Sequence, residues 1–143
     1  NAGIQFRSKR EPNGQAVGYQ ADIGKGWWGS LYHEHGRKIL ARNLDTEGKN
    51  LKPEKWNTYE ILAVGHRIWL AINGKITVAL RDPIGELEGQ ISLQGHGGMP
   101  QKVIYKDLVM ERNPEVKILG MNQTELDKLL ELAPKGFIKP RGK

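Results

Sequence analysis

The sequence predicts an all-β fold, an antiparallel two-sheet sandwich with a short C-terminal helix. Apolar and polar residues alternate along many short segments, which is the pattern of a half-buried β-strand. Glycine is abundant, at 18 of 143 residues, and turn signals separate the segments. Two stacked sheets would bury one face each, so the other face of one sheet is free to carry polar, functional groups.

The composition fits one domain with a packed core. Hydrophobic residues make up 38% of the chain and charged residues 27%, a balance that argues against wholesale disorder. With no cysteine, the chain has neither disulfides nor a thiolate metal site. The formal net charge is +6, but lysine and arginine are spread along the chain and are densest at residues 135–143. We interpret them as a solvated surface with a basic tail, not as a specific nucleic-acid interface.

The first half of the chain contains four predicted strands. Period-2 patterns predict strands at residues 3–9 and 17–23, with a turn signal between them. A glycine-bracketed loop that contains Trp27 and Trp28 precedes a third strand at residues 30–35, and a fourth covers residues 39–41. Residues 43–55 are polar and indicate a loop.

The second half continues the same pattern. Strands are predicted at residues 56–64 and 66–72, and Asn73-Gly74 predicts a tight hairpin into a strand at 75–80, because both turn positions need a positive φ. Two last strands are predicted at 90–94 and 102–110.

The final segment differs from the rest. We expect a β-sandwich domain over residues 1–112 and a C-terminal extension over residues 113–143. Asn122 or Thr124 can cap a short helix over residues 122–133, with leucines and Ala133 on one side. Such a helix either folds back on the sandwich or docks a partner or a further domain.

Strand alternation predicts one polar sheet face. If the apolar residues of four strands point into the core, their neighbours point outward on one face. Directional donors and acceptors of this kind suit sugar hydroxyls, whereas a hydrated surface with chance polar residues is the alternative. One of the adjacent Trp27 and Trp28 can stack on a sugar ring beside this face. The predicted face carries Gln5, Arg7, Gln20, Asp22, Ser30, Tyr32, Glu34, Ser92, Gln94 and His96.

The four histidines form no recognisable metal motif. His33 and His35 lie at i and i+2 on one strand face, a spacing able to chelate, but Glu34 between them faces the other way. A structural or surface role is the better interpretation for this pair. His96 follows a strand in a glycine-rich loop and is the best candidate for a catalytic histidine.

Seven segments occur along the chain in a specific order: Asn1-Ala-Gly-Ile-Gln-Phe-Arg7, Gly18-Tyr-Gln-Ala-Asp-Ile23, Trp28-Gly-Ser-Leu-Tyr32, Trp56-Asn-Thr-Tyr-Glu60, Ile72-Asn-Gly74, Ile91-Ser-Leu-Gln-Gly-His96 and Val103-Ile-Tyr-Lys-Asp-Leu108. This ordered set resembles the 3-keto-disaccharide hydrolase domain family, a concanavalin-like, laminin-G-like jelly roll. The resemblance covers residues 1–112. Members of that family carry several strands before the segment that begins here at Asn1, so the resemblance implies that another chain supplies them, that they were removed, or that this is a shortened relative.

The resemblance implies cleavage of glycosides already oxidised to a ketone at sugar carbon 3. The ketone acidifies the proton on carbon 2, a base removes it, and the glycosidic oxygen leaves from carbon 1. Nothing in the sequence requires a cofactor. The resemblance implies Arg7 as the group that stabilises the enolate, and a divalent metal held by Glu34, Asp22 or His96 is the alternative. Expected catalytic residues are Arg7, Tyr32, Glu34 and His96, and expected substrate contacts are Gln5, Gln20, Asp22, Trp28 and Gln94.

Three functions remain open on the sequence. The first is this glycoside hydrolase or lyase activity; the second is a non-catalytic carbohydrate-binding module; the third is a structural domain of a larger assembly. The expected partner is a 3-keto-glucoside-like carbohydrate, and another chain supplying missing strands is an alternative partner. No apolar stretch approaches the ~20 residues that span a bilayer, and the family resemblance implies a secreted or periplasmic protein.

Overall fold

The structure, a computed structural model, describes residues 1–43, 45 and 49–134. Within this part of the chain the all-β prediction is confirmed: nine strands form two sheets, and one short helix is present. The basic cluster at 135–143 lies outside the described residues. The elements are β1 (Ala2–Arg10), β2 (Ala16–Ile23), β3 (Leu31–Glu34), β4 (Lys38–Ala41), β5 (Tyr59–Val64), β6 (Arg67–Ile72), β7 (Lys75–Arg81), β8 (Gln90–Gly95), α1 (Gln123–Asp127) and β9 (Glu131–Leu132).

The two sheets contain five and four strands of the described chain. The first sheet runs β4-β3-β2-β1-β8 and the second runs β5-β6-β7-β9. All pairs are antiparallel except β7 with β9. The hairpin between β6 and β7 is confirmed, with Asn73 and Gly74 at φ 49° and 81°. Strands β1 to β4 pair consecutively, and β8 returns after the second sheet to pair with β1, so polar residues distant in sequence lie on one sheet.

The core lies between the sheets, where the apolar sides of the strands meet. Phe6 and Tyr19 stack with ring centroids 5.4 Å apart, and Leu31 of β3 is fully buried beside them. From the second sheet, Ile68 and Leu70 complete this cluster. Because these side chains occupy one face of β1, β2 and β3, their neighbours in sequence point to the opposite face.

The outer face of the second sheet is covered by the C-terminal extension. Trp69 of β6 is fully buried there, and its Nε1 donates to the backbone oxygen of Leu126 at 3.1 Å. Leu126 is itself fully buried, so the extension folds back on the sandwich. None of the described helices is long and apolar enough to cross a membrane.

The helix in this extension is shorter than the predicted 122–133. Asn122 caps it through a reciprocal pair of bonds with Glu125, as the sequence suggests, but the helix ends at Asp127. The chain then turns, and Glu131–Leu132 becomes β9 because the free edge of β7 offers unpaired backbone groups. Ala133 N donates to Arg81 O at 2.8 Å and continues this pairing.

The predicted strand at residues 102–110 is wrong. These residues carry strand-forming side chains, yet no regular secondary structure is assigned to them. A strand needs a neighbouring backbone to pair with, and none of the described strands pairs with this segment. Val109 is 93% exposed, so the segment's apolar residues are left largely uncovered.

Candidate functional site

An open groove of about 690 Å³ crosses the outer face of the first sheet. Strand alternation puts it opposite the core, as the residue pattern predicts. It contains most of the polar side chains expected on this face, together with several that the sequence did not single out as site residues. Arg7 and Ser30 of the predicted face do not line the groove, whereas the other eight residues do: Gln5, Gln20, Asp22, Tyr32, Glu34, Ser92, Gln94 and His96.

Strand pairing sets the spacing of these side chains. Gln5 of β1 is opposite Gln20 of β2, and Gln20 is in turn opposite Tyr32 of β3. Gly3 is paired with Asp22, and a Cβ on Gly3 would lie 2.5 Å from the Gln20 side chain. Glycine at this position therefore leaves room for the Gln20 side chain over the sheet.

Asp22 is a buried carboxyl group at the floor of the groove. It is 4% exposed, and its Oδ1 accepts a hydrogen bond from Gln20 Nε2 at 2.7 Å. The pKa of Asp22 is raised to about 7, chiefly by burial and also by the charge of Glu34, while Gln20 and Arg42 oppose the shift. This carboxyl group therefore exchanges a proton near neutral pH, which is the property of an acid–base group.

Two glutamine oxygens on the groove have no hydrogen-bond partner. Gln20 Oε1 and Gln94 Oε1 are both buried and unbonded within the described residues. A buried acceptor without a donor is costly, by about 1–3 kcal/mol. Rotation of either amide toward the groove would let a ligand hydroxyl donate to its oxygen and remove that cost.

Trp27 forms the aromatic wall of the groove, whereas Trp28, the expected substrate contact, does not line it. Trp27 lines the groove and packs edge-on against Tyr32, with centroids 6.0 Å apart. The guanidinium of Arg42 lies over the Trp27 ring at 3.9 Å. Adjacent residues point in opposite directions, and Trp28 is half-buried and does not line the groove.

Arg7 does not lie on the polar face, contrary to the prediction. A β-bulge interrupts the pairing of β1 after Phe6, and Arg7 itself has a φ of 48°. The extra residue breaks the alternation and turns Arg7 toward the second sheet, where its Nη1 donates to Gly65 O at 2.6 Å and Glu86 O at 3.3 Å. The groove therefore has no arginine at the position where the sequence predicts an oxyanion stabiliser.

His96 lies at the end of the groove beyond β8. Its backbone N–H donates to Asn1 O at 3.1 Å, and its Nδ1 lies 2.6 Å from Gly97 O, so the ring is anchored but exposed. The described residues contain no group of three carboxylate or imidazole side chains able to hold an ion, so a metal at Glu34, Asp22 or His96 would have fewer than three protein ligands and stays a prediction. His33, predicted to be structural, is buried and bonds Glu86 at 2.9 Å.

Several residues that line the groove were not among the predicted site residues. Ser92 Oγ donates to Gln5 Oε1 at 2.9 Å and holds that amide across the β1–β8 pair. Gln90, Ser92 and Gln94 are alternate residues of β8, so the two-residue period of a strand already places Gln90 on the groove side. Arg10 and His35 reach the groove only because the bulge and the hairpin ends bring them there, and no local signal predicted this.

A comparison with protein families finds one match over most of the chain. The model of the 3-keto-alpha-glucoside-1,2-lyase-like domain matches residues 1–111. This range contains the eight strands β1 to β8 and every residue of the groove. No curated protein matches the chain closely enough to count as a relative.

Proposed function

The chain belongs to the 3-keto-alpha-glucoside-1,2-lyase-like domain family, and on this premise we propose that the groove binds a 3-keto-glycoside and cleaves its glycosidic bond by elimination. The observation that carries the proposal is Asp22, a buried carboxyl group with a pKa of about 7 on the floor of the groove. The resemblance supplies the substrate class, and the groove supplies an acid–base group suited to it.

The reaction begins with removal of the proton on carbon 2, which the ketone at carbon 3 acidifies. The Asp22 carboxylate takes this proton, and the electron pair moves into an enolate whose charge rests on the carbon 3 oxygen. The enolate then re-forms the ketone as the bond from carbon 1 to the glycosidic oxygen breaks, which leaves a double bond between carbons 1 and 2. Addition of water across that double bond completes a net hydrolysis.

A base with a pKa near the working pH is the most effective one for this step. At pH 7 about half of the Asp22 side chains are ionised, and burial makes the carboxylate a stronger base than an exposed aspartate. We therefore assign the base to Asp22, which the resemblance implied as a substrate contact, and not to the expected catalytic residues His96 and Glu34. Glu34 acts on it through its charge, which raises the pKa of Asp22.

The leaving oxygen needs a proton, and Tyr32 is the donor that we assign. Burial, Glu34 and Asp22 all raise the pKa of Tyr32, so its phenol stays protonated at neutral pH. For the enolate oxygen, His96 and the Gln94 amide are the hydrogen-bond donors at the same end of the groove, in place of Arg7. Gln5 and Gln20 bind hydroxyls, and Trp27 stacks on the sugar ring.

The test is aglycone release from a 3-keto-glucoside, with the unoxidised glucoside as the matched substrate. We expect release from the 3-keto compound alone, with kcat/KM rising as pH increases through about 7. Asp22→Asn keeps the oxygen that accepts from Gln20 but cannot take a proton, and we expect a loss of about 10²–10⁴-fold in kcat. Asp127→Asn makes the same chemical change on the other side of the protein and should leave release unchanged.

The same experiment distinguishes the alternative of a carbohydrate-binding module. If the wild type binds either sugar but releases no aglycone from the 3-keto compound, the catalytic proposal is wrong and the carbohydrate-binding module is supported. The family resemblance also supports a secreted or periplasmic location, which fractionation of the native source would test.

A further inference from the structure

Strand β8 forms an exposed edge of the first sheet. It pairs with β1 on one side, and no other strand among the described residues pairs with its outer side. Edge strands of monomeric proteins usually carry charged residues or proline, which prevent pairing with another chain. Strand β8 carries neither, since its sequence is Gln-Ile-Ser-Leu-Gln-Gly from Gln90 to Gly95.

The outward backbone groups of this strand can be identified from its inner side. The N–H of His96 donates to Asn1 O, so the backbone groups at even positions point toward β1. Alternation along an antiparallel strand then points the groups of Ile91 and Leu93 outward. These are the donors and acceptors that an added strand would meet.

The sequence of β8 is self-complementary about Ser92. Glutamines lie two residues before and after it, and Ile91 and Leu93 flank it. We propose that two copies of this chain pair antiparallel along β8, with Ser92 of each copy opposite Ser92 of the other on a twofold axis. Ile91 then exchanges both backbone hydrogen bonds with Leu93 of the second copy, in agreement with the outward direction of their backbone groups.

The side-chain faces support the same register. Strand alternation directs the side chains of Ile91 and Leu93 to the core side of the sheet, yet they are 57% and 46% exposed. In the proposed dimer each isoleucine packs beside a leucine of the second copy, and Met110, which is 62% exposed, lies near Ile91 at this seam. Burial of these side chains is the apolar contribution to association.

The polar side of the strand gives the dimer a consequence for the groove. Gln90, Ser92 and Gln94 all line the groove, and the added strand would set the same residues of the second copy beside them. The two grooves would therefore meet at the twofold axis and form one longer groove. A ligand bound near Gln94 could then contact Gln90 of the second copy.

A second copy fits this edge better than an unrelated strand for two reasons. The edge carries no charge that a different partner could complement, and residues 90–94 have the same order of polar and apolar side chains from either end. Paired strands of six residues span only ~20 Å. Stable interfaces usually bury more than ~1,000 Å², so we expect a reversible, concentration-dependent dimer.

The mass in solution tests the association. In sedimentation over a hundredfold range of concentration, the wild type should pass from monomer to dimer. Leu93→Lys should remain monomeric, because a charge at the seam would be buried beside Ile91. Leu132→Lys makes the same change at an exposed leucine of β9, which is 65% exposed against 46% for Leu93, and should dimerise like the wild type. A monomer at every concentration, assemblies beyond the dimer, or a dimer unaffected by Leu93→Lys would overturn the proposal.

Cross-linking tests the register, since the chain has no cysteine of its own. Ser92→Cys should form a disulfide-linked dimer on mild oxidation, because the two positions face each other across the axis. Gln90→Cys is the matched control: it faces Gln94 of the second copy, so it should not cross-link alone but should do so in the double variant with Gln94→Cys. Cross-linking by Gln90→Cys alone, with none by Ser92→Cys, would contradict the register.

Discussion

The carboxylate of Asp82 accepts a hydrogen bond from the phenol of Tyr19 at 2.5 Å and joins the two sheets at the end of β7. The two terminal nitrogens of the Arg37 guanidinium, Nη1 and Nη2, also donate to it, in a bidentate pair. Burial raises the pKa of Asp82, but the bonds from Arg37 and Tyr19 outweigh it, and the pKa is lowered. The buried carboxylate is thus fully partnered, and its removal would leave Arg37 and Tyr19 unpaired.

Removal of this carboxylate should therefore be costly. We expect Asp82→Ala to lower the free energy of unfolding by about 3–5 kcal/mol, the range for a buried pair that loses one partner. Tyr19→Phe removes one bond and should cost about 1–2 kcal/mol. The control is Asp127→Ala, whose partially exposed pair with Arg67 should contribute less than about 1 kcal/mol. Equal midpoints of urea unfolding for Asp82→Ala and Asp127→Ala would contradict this ranking.

Gly85 is required by the same contact. A Cβ on this residue would lie 1.5 Å from the Tyr19 hydroxyl and 2.4 Å from Asp82 Oδ2. We expect Gly85→Ala to destabilise the protein by about 1–3 kcal/mol through overpacking. Gly97→Ala, where a Cβ meets open space, should be close to neutral in the same thermal unfolding measurement. A neutral Gly85→Ala would mean that the turn can move away from Tyr19.

The raised pKa of Asp22 makes stability depend on pH. The folded state binds the proton more tightly than the unfolded state, so the cost of ionising Asp22 is absent below about pH 4 and grows until about pH 7. Asp22→Asn removes this cost and should be more stable than the wild type above pH 7, by at most about 4 kcal/mol. Urea unfolding at pH 4 and pH 8 measures this difference. A gain of equal size at both pH values would show that it does not come from ionisation.

The role of Tyr32 as proton donor predicts a dependence on the leaving group. Tyr32→Phe keeps the ring beside Trp27 but removes the hydroxyl. We expect a loss of about 10²-fold or more for 3-keto-glucosides with an alcohol leaving group, and a much smaller loss for an aryl group that leaves without protonation. The ratio of the two kcat values measures the effect. Equal losses for both substrates would assign Tyr32 to binding.

The position of Arg7 predicts that it acts on stability and not on cleavage. Arg7→Gln should leave kcat and KM for the 3-keto substrate within about twofold of the wild type. It should lower the free energy of unfolding by about 1–3 kcal/mol, because two carbonyl oxygens lose a charged donor. A large loss of kcat in a variant that remains folded would contradict this prediction and show that Arg7 contributes to cleavage.

Local sequence patterns predicted most of the polar face. Alternation alone assigned Gln5, Gln20, Asp22 and Tyr32 to one side, because an extended backbone sends successive side chains to opposite faces. The same rule failed at Arg7, where a bulge adds one residue and reverses the direction. A bulge depends on pairing with a distant strand and has no reliable local signal in this segment.

Two other predictions failed because the pairing partner of a segment decides its structure. They are the strand at residues 102–110 and the full length of the helix at residues 122–133. The first segment has no neighbouring strand to pair with, and the second finds the free edge of β7 after Asp127. Secondary structure at such positions is decided by which backbone lies beside the segment, which local propensity does not contain.

The sequence by itself determined the all-β class, the outward side chains of each regular strand, the Asn73-Gly74 hairpin and the Asn122 cap, because each depends on neighbouring residues alone. Only the tertiary structure decided that Asp22 is buried beside Glu34, that Trp27 rather than Trp28 lines the groove, and that Arg7 bonds the second sheet. The pKa of Asp22 shows the reason: it results from burial and from charges on other strands, which are brought together only when the sheets form.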